Sequence, residues 1–276
     1  MKKKNLIIVI GLLFIFTACK NNVQNINAQS TDVINMDTLA YEMKSIKRDT
    51  VVKGASEYDT TSIEFIYPLF DIHSAFGKQL NDSIIKRVSL IGEENESGYS
   101  TIQSIVDDFM QQYKSYVEES PMDFPWYNQT EINILNNNSN IISFRMALES
   151  YTGGAHGSHY VIFDNYNRKT NTLIKIEDVL KDKHDKALLE IGEFYFKQIR
   201  EIPQKESLQE NGAFEAGWLD ENQKAGFYFN DNFTIDKDNL TFYYNEYEVS
   251  SYAFGPTELK IPLEKIRPYL KNSFGF

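Results

Sequence analysis

The stretch Tyr151-Thr152-Gly153-Gly154-Ala155-His156-Gly157-Ser158-His159-Tyr160 places three glycines and two of the chain's four histidines within ten residues. Apolar residues alternate on both sides of it. Ile142, Phe144, Met146 and Leu148 share one parity before it, and Val161 and Phe163 share one after it. Period two puts such residues on one face of a strand, and glycines reach the positive φ that a tight reversal needs. The stretch therefore reads as strand, turn, strand.

Working outward, Ser62-Ile63-Glu64-Phe65-Ile66-Tyr67 alternates before Pro68, and Ser45 to Thr50 suggests an earlier strand. Phe76, Leu80, Ile84 and Val88 recur at four-residue steps, predicting a helix with Asn81 and Lys86 outward. A second helix follows, with Ile102, Ile105, Val106, Phe109, Tyr113, Tyr116 and Val117 inward and Asp107, Gln111, Lys114 and Glu118 outward. Glu131 to Leu135 is a strand, Asn136 to Asn140 a turn, and Ile141 to Tyr151 the strand entering the glycine stretch.

After the stretch, Asn165 to Asn171 reads as a polar turn, Leu173 to Ile176 as a short strand and Glu177 to Leu180 as a helical turn. Leu188, Ile191, Tyr195 and Ile199 mark a third long helix. Lys205 to Gly217 reads as a loop, with Trp218 at its edge. Strands are expected at Gly226 to Phe229, Phe233 to Ile235, Leu240 to Tyr247 and Glu258 to Pro262, with a bend over Ser250 to Pro256 and a last helix over Leu263 to Leu270. Strands and helices segregate rather than alternate strictly. That predicts an α+β fold of antiparallel sheets with helices on one face.

The N-terminus carries an address. Met1 to Lys4 is basic and Leu6 to Phe16 is an apolar run of eleven residues, too short for a membrane span of about 20 residues and suited to a signal peptide. Phe16-Thr17-Ala18 leads into Cys19, the only cysteine. This looks like a bacterial lipoprotein signal over residues 1–18, with Cys19 lipidated and residues 19–44 a polar tether. The absence of an acidic run after Cys19 points to the periplasmic side of an outer membrane as the location.

Removing the signal takes three lysines from a chain that holds 28 Lys and Arg against 39 Asp and Glu, so the mature part is more acidic than the −11 of the whole. Nucleic acid is not expected as a partner, because phosphate binding needs clustered cations. A cationic partner is favoured.

The residues exclude several chemistries. No G-x-S-x-G elbow, no G-x-x-x-x-G-K-[ST] loop and no G-x-G-x-x-G fingerprint occurs. His156 and His159 could ligate zinc together with His73 or His184 and a carboxylate, but their spacing in a glycine turn suits backbone hydrogen bonds better. No metal, cofactor or catalytic residue is assigned. The tyrosine cluster at Tyr243, Tyr244, Tyr247 and Tyr252 to Phe254 is the better candidate for binding, since tyrosine offers a flat apolar face and a hydroxyl.

Three segments together carry a family likeness: Tyr151 to Gly157, Thr172 to Leu180, and Tyr247 to Pro256 with Ile261-Pro262. They resemble a bacterial extracytoplasmic family found in the outer part of the lysozyme-sensing anti-sigma factor RsiV and in the N-terminal, non-catalytic part of the peptidoglycan deacetylase PdaC. The resemblance includes Ile66-Tyr67-Pro68 and Leu80-Asn81, so it spans about residues 45 to 270. It implies two adjoining α+β units, a PdaC-like one over residues 45–164 and an RsiV-like one over residues 165–276. It also implies an envelope binding module that recognises a muramidase such as lysozyme, or peptidoglycan. The expected contact residues are Tyr151, Gly153, Gly154, His156 and His159 from the glycine stretch and Tyr247, Tyr252 and Phe254 from the bend. The alternative expectation is a metal-dependent hydrolase or deacetylase of envelope glycan working at His156 and His159.

Overall fold

In the computed structural model, the described residues are 38–51, 60–90, 98–120, 124–214 and 226–271. The signal peptide, Cys19, most of the tether, the segment after Gly92, Pro121 and Trp218 lie outside them. Six strands form one sheet in chain order: β1 (Tyr41–Val51), β2 (Thr60–Phe70), β3 (Tyr127–Asn137), β4 (Ile141–Tyr151), β5 (Ser158–Asn167) and β6 (Thr172–Leu173). Three more form a second sheet: β7 (Phe233–Ile235), β8 (Asn239–Tyr244) and β9 (Thr257–Pro262). The fold is α+β, as expected.

All pairings are antiparallel except one. β2 and β3 run parallel, which corrects the expectation of purely antiparallel sheets. Parallel neighbours need a crossover, and the chain between them supplies it as α1 (Ala75–Leu90) and α2 (Ile102–Glu119). Both helices lie on one face of the sheet. Leu80, Ile84, Val106 and Phe109 meet Ile63, Phe65, Ile132, Phe144 and Met146 in a single apolar core. Thr101 caps α2, its hydroxyl accepting from Ser104 N–H at 3.0 Å. Arg87 of α1 grips Asp164 of β5 through two bonds of 3.0 and 2.8 Å, and Asp164 is 2% exposed.

The C-terminal sheet has its own core. α4 (Lys186–Ile199) lies over β9 and buries Leu188 and Phe196 against Phe214, Phe227, Phe242 and Tyr244, while α3 (Ile176–Val179) adds Ile176 and Val179. Gly192 is required in α4, because a Cβ there would stand 2.3 Å from the Phe227 ring. Asp185 caps α4 by accepting from Ala187 and Leu188 N–H. The last helical stretch is shorter than expected: α5 (Leu263–Ile266) tightens into a 3₁₀ turn at Arg267–Tyr269, where Pro268 cannot donate to the preceding turn.

Several other expectations shift. Phe227 to Phe229 packs as an aromatic coil rather than a strand, and β8 stops at Tyr244. The strand expected at Leu173 to Ile176 shortens to Thr172–Leu173, and Ile176 opens α3. Conversely, β5 continues through the expected turn to Asn167. Asn81 does not face outward. Its side-chain amide pairs with both the N–H and the C=O of Phe70, each at 3.0 Å.

Similar amide contacts occur at other strand ends and edges. Asn137 pairs with the N–H and C=O of Leu39, both at 2.8 Å. On β5, whose outer edge β6 covers only at Tyr166 and Asn167, Asn245 pairs with both backbone groups of Val161 at 2.8 and 3.0 Å. Asn232 accepts from Phe163 N–H and donates to Val161 C=O, both at 2.8 Å. In return, Asn165 and Asn136 donate to the carbonyls of Phe233 and Ile235 on β7. A primary amide carries one donor side and one acceptor side, as a peptide unit does, so it can stand in for a missing strand.

Glu248 holds this arrangement from behind, accepting from Asn230 Nδ2 at 2.6 Å and from Asn245 N–H at 2.8 Å. Burial pushes its carboxyl above the ordinary 4.5, and those two donors only partly offset this. The folded state therefore binds the Glu248 proton more tightly than the unfolded chain does. Its contribution to stability is complete below the ordinary carboxylate range and is lost as pH rises through the raised value.

Two outcomes are expected in urea melts. Asn232→Ala leaves the Phe163 N–H without its acceptor and lowers stability by about 1–3 kcal/mol. Glu248→Gln offers an N–H₂ to one of two donors, so it lowers stability at all pH. It also removes this residue's share of the decline in stability above about pH 4.5.

Candidate functional site

Two distant parts of the chain meet at the β4–β5 turn. The His156 ring stacks on Tyr252, with centroids 3.7 Å apart and planes 19° apart. Its Nδ1 lies 2.8 Å from Gly157 C=O and its Nε2 3.1 Å from Tyr247 Oη. A carbonyl only accepts, so Nδ1 carries a proton and donates to Gly157 C=O, while Nε2 is hydrogen-bonded to the Tyr247 hydroxyl. Tyr252 also donates to Gly157 C=O, at 3.4 Å. Burial first, then the Glu246 carboxylate, raises the Tyr252 hydroxyl above its usual range.

Tyr247 is held in a conformation unusual for a bulky residue, with φ +64°, and is 47% exposed. A left-handed tyrosine costs conformational energy that its surroundings must offset. Here the flanking Asn245 and Glu248 fix the turn on both sides, Asn245 N–H donating to the Glu248 carboxylate and Glu248 N–H to Asn245 C=O. The result is an aromatic ring presented to solvent beside His156 and Tyr252.

The glycines give this surface its shape. Gly153 and Gly154 have φ of +117° and +98°, and a Cβ on Gly153 would come 2.9 Å from the Phe124 ring. Gly157 lets Tyr127 approach, since a Cβ there would meet its hydroxyl at 2.9 Å. Tyr151 stacks on Tyr127 at 6.2 Å and donates to Gly154 C=O. Phe254 stands apart from these rings. It is 52% exposed, with the Arg200 guanidinium 5.4 Å above its ring.

His159 is not paired with His156. It sits on β5 opposite Glu149, with Nε2 4.0 Å from that carboxylate. Among the described residues, no group of three or more His, Cys, Asp and Glu side chains could hold a metal ion. The backbone N–H groups of His73 and His184 each donate to an aspartate two residues earlier, in local turns.

The sheet face opposite α1 and α2 adds a feature that reading the sequence did not assemble. A cleft of about 210 Å³ lies over β2, β3 and β4, with Ile66 and Ala147 in its floor and Glu64, Glu131 and Glu149 around it. Register explains the grouping: Glu64 stands beside Gln129, Gln129 beside Glu149, and Tyr127 beside Tyr151. All lie at one strand parity, so one face carries three carboxylates ending in two stacked tyrosines. Lys47 approaches Glu64, at 3.7 Å. Each glutamate sits at the outward parity of its own strand in the sequence. What the sequence lacked was that β2 and β3 are neighbours.

Comparison with known proteins places these features in context. Residues 55–159 match the family model described as Deacetylase PdaC, and residues 177–264 match the one described as Protein of unknown function (DUF3298). A comparison with curated proteins returned no match. Among solved structures, a DUF3298-family protein from Bacteroides fragilis superposes with a TM-score of 0.64 at 23% identity, covering 86% of this chain and 96% of that one. A DUF3298-family protein from Pseudomonas aeruginosa gives 0.60 at 14% identity, with the same coverage. At these identities the likeness is one of fold. Among the described residues, no helix is long and apolar enough to cross a membrane. The chain thus joins a PdaC-type segment to a DUF3298 segment, on the fold that solved DUF3298-family proteins share.

Proposed function

We propose that this chain is a binding protein of the bacterial envelope, anchored through lipid on Cys19 at the periplasmic side of an outer membrane, whose open sheet face recognises a cationic muramidase. The observation that carries the reading is the continuity of two surfaces. The Glu64, Glu131 and Glu149 face ends at Tyr127 and Tyr151, and Gly157 connects Tyr127 to the His156, Tyr252 and Tyr247 cluster.

The chemistry suits a basic protein. Exposed carboxylates steer a positive partner and set orientation, while rigid tyrosines supply desolvated contact area at low entropic cost. The −11 charge of the chain extends the steering beyond the cleft. The strained Tyr247 backbone fits a residue kept for contact rather than for packing. The likeness to the lysozyme-sensing family supports the same partner class. Neutral peptidoglycan fragments would draw on the tyrosines but not on the carboxylates.

Calorimetry of the full chain with lysozyme, at about 50 and about 300 mM salt, tests this. Affinity is expected to fall at the higher salt. Tyr247→Ala, which removes an exposed ring, should weaken binding by about ten-fold or more with little change in melting temperature. Glu131→Gln with Glu149→Gln should slow association more than it speeds dissociation. No heat with lysozyme, together with saturable heat from muropeptides, would replace the partner by peptidoglycan.

A further inference from the structure

The two sides of the six-stranded sheet are finished differently. On the β5 side, asparagine amides occupy the backbone groups of Val161 and Phe163. On the other side lies β1, eleven residues long, which among the described residues pairs with β2 alone. Nine of those residues are exposed, with Tyr41 at 44%, Met43 at 45% and Val51 at 59%. A strand paired on one side turns its remaining N–H and C=O groups outward, and these are a template for a further strand. The edge is also held in place. Asn137 grips Leu39 just before β1, Ile46 packs into the core, and Arg48 bonds Asp107 of α2.

Charged side chains ordinarily blunt such an edge, because they set like charges against each other. In β1 they select an occupant instead. Two antiparallel copies of one strand are related by a two-fold axis perpendicular to the sheet, which keeps each face on its own side and passes through a residue that faces itself. An axis at Lys44, Lys47 or Arg48 sets that cation against its own copy, and an axis at Ile46 sets Lys44 against Arg48. Like charges directly opposite destabilise a pair of strands. An axis at Ser45 sets no like charges together: Glu42 faces Arg48, Tyr41 faces Asp49, Met43 faces Lys47 and Lys44 faces Ile46. Axes farther out pair only the tips of the strand. Arg48 already bonds Asp107, and a guanidinium has donors for a second carboxylate. The net charge of −11 opposes the approach of two copies at long range, but physiological salt screens it over about 8 Å, whereas facing side chains are in contact.

We infer that two copies of this chain join through the outer edges of β1, antiparallel and centred on Ser45, to make one continuous sheet. The perpendicular axis puts the helices of both copies on one face and both acidic clefts on the other. The pairing does not depend on what the acidic face binds.

The full chain carrying Cys19→Ser has no native cysteine, and its mass is followed by sedimentation from about 1 to about 100 μM in about 150 mM salt. A concentration-dependent dimer is expected. Glu42→Arg and Arg48→Glu each set like charges opposite at both ends of the pairing, so each should weaken it about ten-fold, while an equal mixture of the two chains should pair as the parent does. In the same background, Ser45→Cys should cross-link to itself on mild oxidation. Met43→Cys should not, since its own copy lies about 13 Å along the facing strand, but it should cross-link when mixed with Lys47→Cys. The cysteine variants keep the Arg48–Asp107 contact, so they test the register even where Arg48→Glu fails to fold. A chain that stays monomeric throughout overturns the proposal. So does a dimer that Glu42→Arg leaves unchanged, or one in which Met43→Cys links to itself as readily as Ser45→Cys.

Discussion

The structure depends on asparagine amides that take the place of missing β-strands. The outer edge of β5 exposes the N–H and C=O of Val161 and the N–H of Phe163 along a line where β6 is too short to reach. Asn232 and Asn245 answer those groups in pairs, and Asn165 and Asn136 answer the carbonyls of β7 from the opposite side. An open strand edge invites pairing with another chain, and side-chain amides close it without extending the ladder. They also join the two sheets at a fixed register. A shift of β5 by one residue would turn Val161 and Phe163 away from Tyr243 and would break every one of these amide contacts.

The surface features follow from that junction. Asn245 and Glu248 brace the turn that holds Tyr247 at positive φ, and Asn245 is the same residue that pairs with Val161. β5 is therefore tied to the turn that carries Tyr247, whose hydroxyl lies 3.1 Å from Nε2 of His156 in the turn leading into β5. Each sheet has its main apolar core, and Val161, Phe163 and Tyr243 form a smaller cluster between them. In this fold the polar network fixes geometry and adds to the stability that the cores supply.

Much of the architecture was legible in the sequence because it rests on local period. Alternation around the glycine stretch located β4 and β5, and the four-residue steps of Leu80, Ile84 and Val88 located α1. The meeting of the glycine turn with the Tyr247 to Pro256 bend was approached through the family likeness rather than through periodicity. What stayed hidden was everything decided by which strands become neighbours. The parallel pairing of β2 with β3 depends on two helices folding back across the sheet, and no local pattern encodes it. The acidic face is invisible until that pairing is known, since Glu64 and Glu131 are far apart in sequence. Asn81 was misplaced for a related reason: a polar residue on a helix reads as solvent-facing unless the strand end that it pairs with is already in view.

A second, smaller cleft on the helix side of the sheet shares β4 with the acidic one, and their chemistry differs because a strand alternates. Tyr151 points to the face with Glu149 and Tyr127, while Ser150 and Thr152 point to the face with Trp126 and Asp108. One face is acidic and bordered by Tyr127 and Tyr151. The other is small, and its described lining joins Asp108 to a largely buried indole. Both adjoin the Gly153 turn, where a Cβ would collide with Phe124, whose ring in turn contacts Tyr151 at 5.8 Å and Tyr116 at 5.2 Å. Tyr116 meets Trp126 at 5.1 Å, so a continuous row of aromatic contacts runs from the rim of the first cleft to the wall of the second. Close packing of these rings leaves the Gly153 turn little room to shift on either face.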